Sequence, residues 1–184
     1  MNKKPVLLTT ILASAFAAPA ANSRQAGLEP WQVTSLSTHS PSGRPGNNPH
    51  STLNVTIHDP NTIAVTQTPT GTAVFPPSTA NCSAQWLTAE DVPWGVEQPC
   101  SEIDHGYWTF KMTGGESGTT DFGLEFKLVD NVTVLNQAYT KVFSGGALFK
   151  VGDNLSGQCG GSGVCNWGLS KWPFLVQQTE ESAS

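Results

Sequence analysis

Apolar and polar residues alternate with a period of two along most of this chain. Leu53, Val55 and Ile57 fall between Thr52, Asn54, Thr56 and His58, the pattern of a strand with one buried face. Phe122, Leu124, Phe126 and Leu128 alternate in the same way with Gly123, Glu125 and Lys127. Shorter runs of the same kind begin at Trp31-Gln32-Val33-Thr34, Ile63 to Thr66 and Thr72 to Phe75, the last closed by Pro76-Pro77. Cys82 opens a further strand that passes into a loop before Cys100. Tyr107 to Met112 is rich in β-formers and is expected to end at Gly114-Gly115. Ala147 to Val151 is expected to follow a turn at Gly145-Gly146. Trp167 to Gln177 is the last run, and Pro173 within it points to a sheet edge.

The punctuation fits the same picture. Pro41, Gly43, Pro45, Gly46 and Pro49 make a loop of His39 to His50, and Asp59-Pro60-Asn61 a turn. Asp130-Asn131, set between Leu128 and Val132-Thr133-Val134, predicts a hairpin tip. The alternation changes phase near Leu135, which predicts a bulge. No 3.6-residue period runs for three turns beyond residue 18. The expectation is an all-β fold, a compact antiparallel β-barrel or sandwich with two disulfides.

The first residues read differently. Lys3 and Lys4 precede an uncharged, mostly apolar run from Val6 to Ala18, which closes on Ala15-Phe16-Ala17. That is the layout of a cleaved secretory signal peptide. The run is too short for a spanning helix, which needs about 20 apolar residues. The expected organisation is a signal peptide at 1–17, a flexible tail at 18–30, one β domain at 31–177 and a disordered tail at 178–184. An extracellular protein follows from it.

Charge narrows the partners. The net charge is −5, and losing Lys3 and Lys4 takes it to −7. No basic patch exists for nucleic acid or an anionic membrane. Charged residues are 12% of the chain, against about 25% in ordinary domains. Surface polarity therefore rests on Ser, Thr, Asn and Gln. Three N-x-[ST] sequons, at Asn54, Asn131 and Asn154, are expected to face solvent and to provide at least one glycan; Asn81 is the weaker fourth, with Cys82 in its middle position.

Four cysteines in an exported chain imply two disulfides. Three pairings exist, and sequence does not decide among them. Neighbour pairing, Cys82–Cys100 and Cys159–Cys165, is the expectation. The first closes a Trp-bearing loop, worth roughly 3 kcal/mol; the second encloses a flexible Gly160 to Val164. Zinc is disfavoured, because neither pair has zinc-ligand spacing and only His105 lies near a cysteine.

Catalytic motifs are missing. There is no G-x-S-x-G elbow and no phosphate-binding loop, and His39, His50, His58 and His105 are scattered. A glycosidase would need two facing carboxylates. Glu125 points outward with Lys127, Glu116 lies in a Gly-rich turn, and Glu102 and Asp104 follow Cys100 in a loop, so the acids read as dispersed. Trp31 and Trp108 read as core; Trp86, Trp94, Trp167 and Trp172 are open between core and a sugar-stacking surface. No catalytic residue, metal or cofactor is assigned.

The order of these features resembles the Alternaria major-allergen family of secreted fungal proteins. Trp31-Gln32-Val33-Thr34 is followed by Gly43-Arg44-Pro45, the strand Ser51 to Ile57, and Cys82-Ser83-Ala84. Trp94 before Cys100, the aromatic run Tyr107 to Met112, the strand from Phe122 and the pair Cys159–Cys165 complete the set. The resemblance spans about Trp31 to Gln177. It implies a fungal antiparallel β-barrel with neighbour disulfides, elicitation of plant defence, and binding of host defence proteins or small aromatic ligands, with no settled enzymatic activity. The family's allergen has a further cysteine that joins two chains. Ala18 to Asn81 contains none here, so a monomer or a non-covalent dimer is expected. The function expected is that of a secreted, non-catalytic effector or elicitor. The alternative is a secreted carbohydrate-active protein, either a small hydrolase or a sugar-binding module.

Overall fold

The computed structural model describes residues 27–88 and 90–181. The signal peptide, positions 18–26 of the expected tail and the last three residues lie outside the described residues. The described chain is all-β and antiparallel, as the alternation predicts. One sheet holds β10 (Leu155–Cys159), β11 (Cys165–Leu169), β1 (Trp31–Ser40), β2 (His50–Asp59) and β5 (Ser78–Leu87) in that order, with β12 (Phe174–Val176) also on β1. The second holds β13 (Gln178–Glu180), β9 (Gln137–Lys150), β8 (Asp121–Val134), β7 (Gly106–Ser117) and β6 (Glu97–Pro99). A hairpin of β3 (Ile63–Thr68) and β4 (Gly71–Phe75) packs beside β8.

The two sheets face each other, and the inward phase of each strand fills the space between them. Leu53, Val55 and Ile57 meet Phe122, Leu124, Phe126 and Leu128 in one buried cluster. Each such side chain contributes roughly 1.5–3 kcal/mol by leaving water. Trp31 and Trp108 are core, edge to face at 4.7 Å. Trp86 is buried and Trp94 packs on the core, whereas Trp172 is 74% exposed.

Both sides of the sandwich are stitched. On one, the chain passes directly from β12 in the first sheet to β13 in the second. On the other, the Cys82–Cys100 disulfide ties β5 to the end of β6, and the Ser101 N–H donates to the Asn81 carbonyl at 2.7 Å. The Cys159–Cys165 disulfide closes the β10–β11 hairpin. Among the described residues the sheets form no closed ring of strands, and the two antiparallel sheets with their two disulfides fit the expected barrel or sandwich.

Several boundaries differ from expectation. The hairpin tip is Leu135-Asn136 and not Asp130-Asn131; β8 runs on to Val134, which pairs with Gln137. Both tip residues have positive φ, 48° and 64°, as a two-residue type I′ turn requires. Asp130 is instead buried, which holds the strand in phase. Gly145-Gly146 is not a turn but the middle of β9. A Cβ on Gly145 would run into the Gln177 carbonyl and come within 3.2 Å of the Trp31 ring. β7 likewise continues through Gly114-Gly115, with a register shift before Ser117. β1 extends to Ser40, which shortens the predicted loop.

The tails are also more ordered than expected. Gln178 to Glu180 is strand β13, paired with Phe143 to Gly145, and not a disordered tail. Within the predicted flexible segment, Leu28 packs on the core, and Glu29 is tied at both main-chain groups. Its N–H donates to Asn61 Oδ1 at 2.9 Å, and its carbonyl accepts from Gln178 Nε2 at 2.6 Å.

Candidate functional site

The outward face of the second sheet carries a groove of about 510 Å³. Strand register places its side chains in rows. One row reads Glu97, Lys111, Glu125 and Gly146 from β6 to β9. The next reads Pro99, Thr109, Lys127, Ser144 and Thr179 from β6 to β13. Gln177 and Glu181 close the side at β13. Residues two apart on a strand share a face, so Lys111 and Thr109 stand side by side on β7. The alternation that buries Phe110 and Phe126 aims their neighbours into the groove.

The charges there are tied to one another. Lys111 Nζ lies 2.6 Å from Glu125 Oε2. That hydrogen bond and the Glu125 charge, with Glu97 adding to it, hold the Lys111 ammonium above its ordinary pKa. The Thr109 hydroxyl donates to Glu97 Oε1 at 2.7 Å, and the Thr179 hydroxyl to the Ser144 carbonyl at 3.3 Å. Exposed pairs of this sort contribute little to stability. Their effect is to fix donors and acceptors in place. Outside the groove, on the same sheet, Lys150 Nζ sits 2.6 Å from Asp121 Oδ2, and its ammonium is also held above the ordinary range.

Of the acids weighed from sequence, only Glu125 lies in the groove. Glu116 is on β7 near the Lys150 end, and Glu102 and Asp104 are exposed beyond β6. The groove's other acids, Glu97 and Glu181, were not singled out from sequence. Glu97 falls in a stretch read as loop, and Glu181 in one read as frayed. The histidines serve local bonds: His39 Nδ1 with Asn166 Oδ1 at 2.8 Å, His50 Nδ1 with Asn48 Oδ1 at 2.8 Å, and His58 Nδ1 with the Ser78 carbonyl at 3.0 Å. Among the described residues no cluster of three or more His, Cys, Asp or Glu is placed to hold a metal.

The sequons occupy different settings. Asn54 is exposed on β2, beside a smaller depression of about 270 Å³ that also reaches Asn81. Asn131 is exposed on β8, on the same face as the groove. Asn154 is half-buried, and its amide is already used: Oδ1 accepts from the Lys150 N–H and Nδ2 donates to the Leu148 carbonyl, each at 2.9 Å.

A second electrostatic feature lies between the sheets. Asp59 and Asp130 are each 2% exposed. Asp59 Oδ1 accepts from the Asn61 N–H at 3.0 Å, from Asn61 Nδ2 at 2.5 Å and from Gln178 Nε2 at 3.4 Å. Asp130 Oδ1 and Gln178 Oε1 have no partner. Burial, and secondarily the charge of Asp59, push the Asp130 carboxyl up to about 7. The cluster joins β2, β8 and β13, the last of which bounds the groove.

No family model, curated protein or solved structure matches the chain.

Proposed function

We propose that this chain is a secreted, non-catalytic binding protein that takes a host or cell-wall component in the groove of its second sheet, as an effector or elicitor does. The observation that carries the reading is the groove: a fixed array of charges, hydroxyls and a glycine floor on a rigid sheet. Two disulfides fit an extracellular setting, and the signal-like N-terminus supports export. The resemblance to secreted fungal elicitors points the same way. The groove's polar lining suits a hydrogen-bonding partner better than a small aromatic ligand. We extend the proposal to a glycan on Asn54 or Asn131, both exposed; an unchanged mobility after enzymatic deglycosylation would refute it.

A hydrolytic reading has one observation in its favour. Glu97 and Glu125 share the groove, two strands apart, which sets their backbones about 9–10 Å from each other. That spacing approaches the carboxylate separation of inverting glycosidases. Lys111, however, stands on the strand between them and bonds Glu125, where a scissile bond would have to lie. Binding is therefore the stronger reading.

The test uses the purified secreted protein on plant apoplastic extract and on plant and fungal wall preparations. Retention lost in Ser144→Tyr, which plugs the groove, with no release of reducing ends, supports the proposal. Hydrolysis abolished by Glu125→Gln overturns it, and so does retention indifferent to the plug.

A further inference from the structure

Resting on that reading of the groove, we propose that its ligand is a neutral, hydroxyl-rich chain: an oligosaccharide of uncharged sugars lying across the strands, with a ring against Tyr107.

The charge arrangement argues for a neutral ligand. Two lysines, Lys111 and Lys127, face three acids, Glu97, Glu125 and Glu181, a balance of 2 − 3 = −1. Neither sign dominates, and Lys111 and Glu125 already satisfy each other at 2.6 Å. A polyanion or polycation would meet like charge within one step of any site it favoured, or would have to break that pair. A sugar hydroxyl both donates and accepts. It can donate to Glu97 or Glu125 and accept from Lys127 while the pair stays intact. The hydroxyls of Ser144 and Thr109 extend the same lining.

The shape argues for a ring with two unlike surfaces. Tyr107 lies two residues from Thr109 on β7, about 7 Å along the same face. It is 53% exposed and covers a row that continues into Val129, buried opposite it on β8, and Val142, half-buried beyond on β9. An apolar row therefore runs beside the polar rows. A pyranose has an apolar ring face and a polar rim of hydroxyls, and such a surface meets both at once. Gly146 adds no side chain to the floor, so a ligand can come close to the sheet.

The position argues against an extended peptide. Peptides add to sheet edges, where main-chain groups are free. Under the groove, Thr109 to Lys111 on β7, Glu125 to Lys127 on β8 and Phe143 to Gly145 on β9 are each paired on both sides, so their main-chain groups are spent on the ladders.

The experiment is calorimetric titration of the full secreted chain with cello-, laminari-, xylo- and chitohexaose, and with the charged hexamer of galacturonic acid. At least one neutral hexasaccharide is expected to bind saturably, roughly tenfold or more tighter than the oligogalacturonate. Tyr107→Ala and Glu125→Gln should each weaken it by about tenfold. Leu148→Ala, exposed and outside the groove, should leave it unchanged, and melting temperatures confirm that each variant is folded. Preference for oligogalacturonate, or binding indifferent to both Tyr107→Ala and Glu125→Gln, overturns the inference. If no saccharide binds but Ser144→Tyr still abolishes retention of a wall or host component, this inference falls and the function proposed for the groove stands. If Ser144→Tyr changes nothing, both fall.

Discussion

Replacing Asp130 by asparagine is expected to remove most of the dependence of stability on pH. In the folded chain this carboxyl titrates at about 7, against an ordinary 3.8, because it is buried and Asp59 is near. A folded-state pKa raised above the unfolded one means that the folded protein holds the proton more tightly. The stabilisation is then complete below about pH 4 and is lost as pH rises to about 7. The difference of about three pH units corresponds to an upper limit of about 4 kcal/mol. Relaxation of the polar groups around Asp59 lowers this, and about 2 kcal/mol is a working figure. For a domain of this size that is a fall in Tm of roughly 4–8 °C between pH 4 and pH 8. Lys111 and Lys150 are raised from 10.5 and stay charged throughout that window. The assay is thermal unfolding of the wild type and of Asp130→Asn across it. Asparagine mimics the neutral acid, so its profile should lose that slope. A wild-type Tm that is level or rises with pH, or an equal slope in the variant, refutes the reasoning.

Three further outcomes follow from the architecture. Peptide mapping without reduction should recover Cys82 with Cys100 and Cys159 with Cys165; removing the first bridge, which closes 18 residues against 6, should cost about 1 kcal/mol more in denaturant unfolding than removing the second. Gly145→Ala should destabilise by roughly 1–3 kcal/mol, since its Cβ meets the Gln177 carbonyl and the Trp31 ring, while Gly161→Ala, in open space, should change urea unfolding little. With both disulfides within the chain and no free cysteine, a non-reducing gel should show a monomer band, and a reducible dimer would contradict the pairing.

Much of the fold was legible because burial enforces a period of two. The runs at Leu53 to Ile57 and Phe122 to Leu128 are strands for the reason their pattern gives, and the outward phase of Glu125 was correct. Turn chemistry was less informative. Asp130-Asn131 has turn-forming residues, but Asp130 is held between the sheets with Asp59, and the real tip at Leu135-Asn136 lacks the glycine that usually marks such a turn. Gly145 and Gly146 look like a turn in sequence, yet Gly145 is small because Trp31 and the Gln177 carbonyl press against it. The groove was only half visible. Each strand shows which residues face outward, but register alone brings Glu97, Lys111 and Glu125 into one row, and register depends on pairing between segments distant in the chain. Glu181 was hidden for a similar reason: its segment looks polar and terminal until β13 docks on β9 and its N–H finds the Val142 carbonyl at 2.8 Å.

The central claim is that the outward face of β6 to β9 and β13 holds a ligand and leaves it intact. The most direct measurement is a depletion assay of the purified protein on insoluble plant and fungal wall material, with Ser144→Tyr in parallel and reducing ends counted in the supernatant. Saturable depletion of the wild type on at least one material is expected, with loss of that depletion in the plugged variant and no rise in reducing ends. Equal depletion of both proteins, or reducing ends that appear with the wild type and vanish with Glu125→Gln, would contradict it.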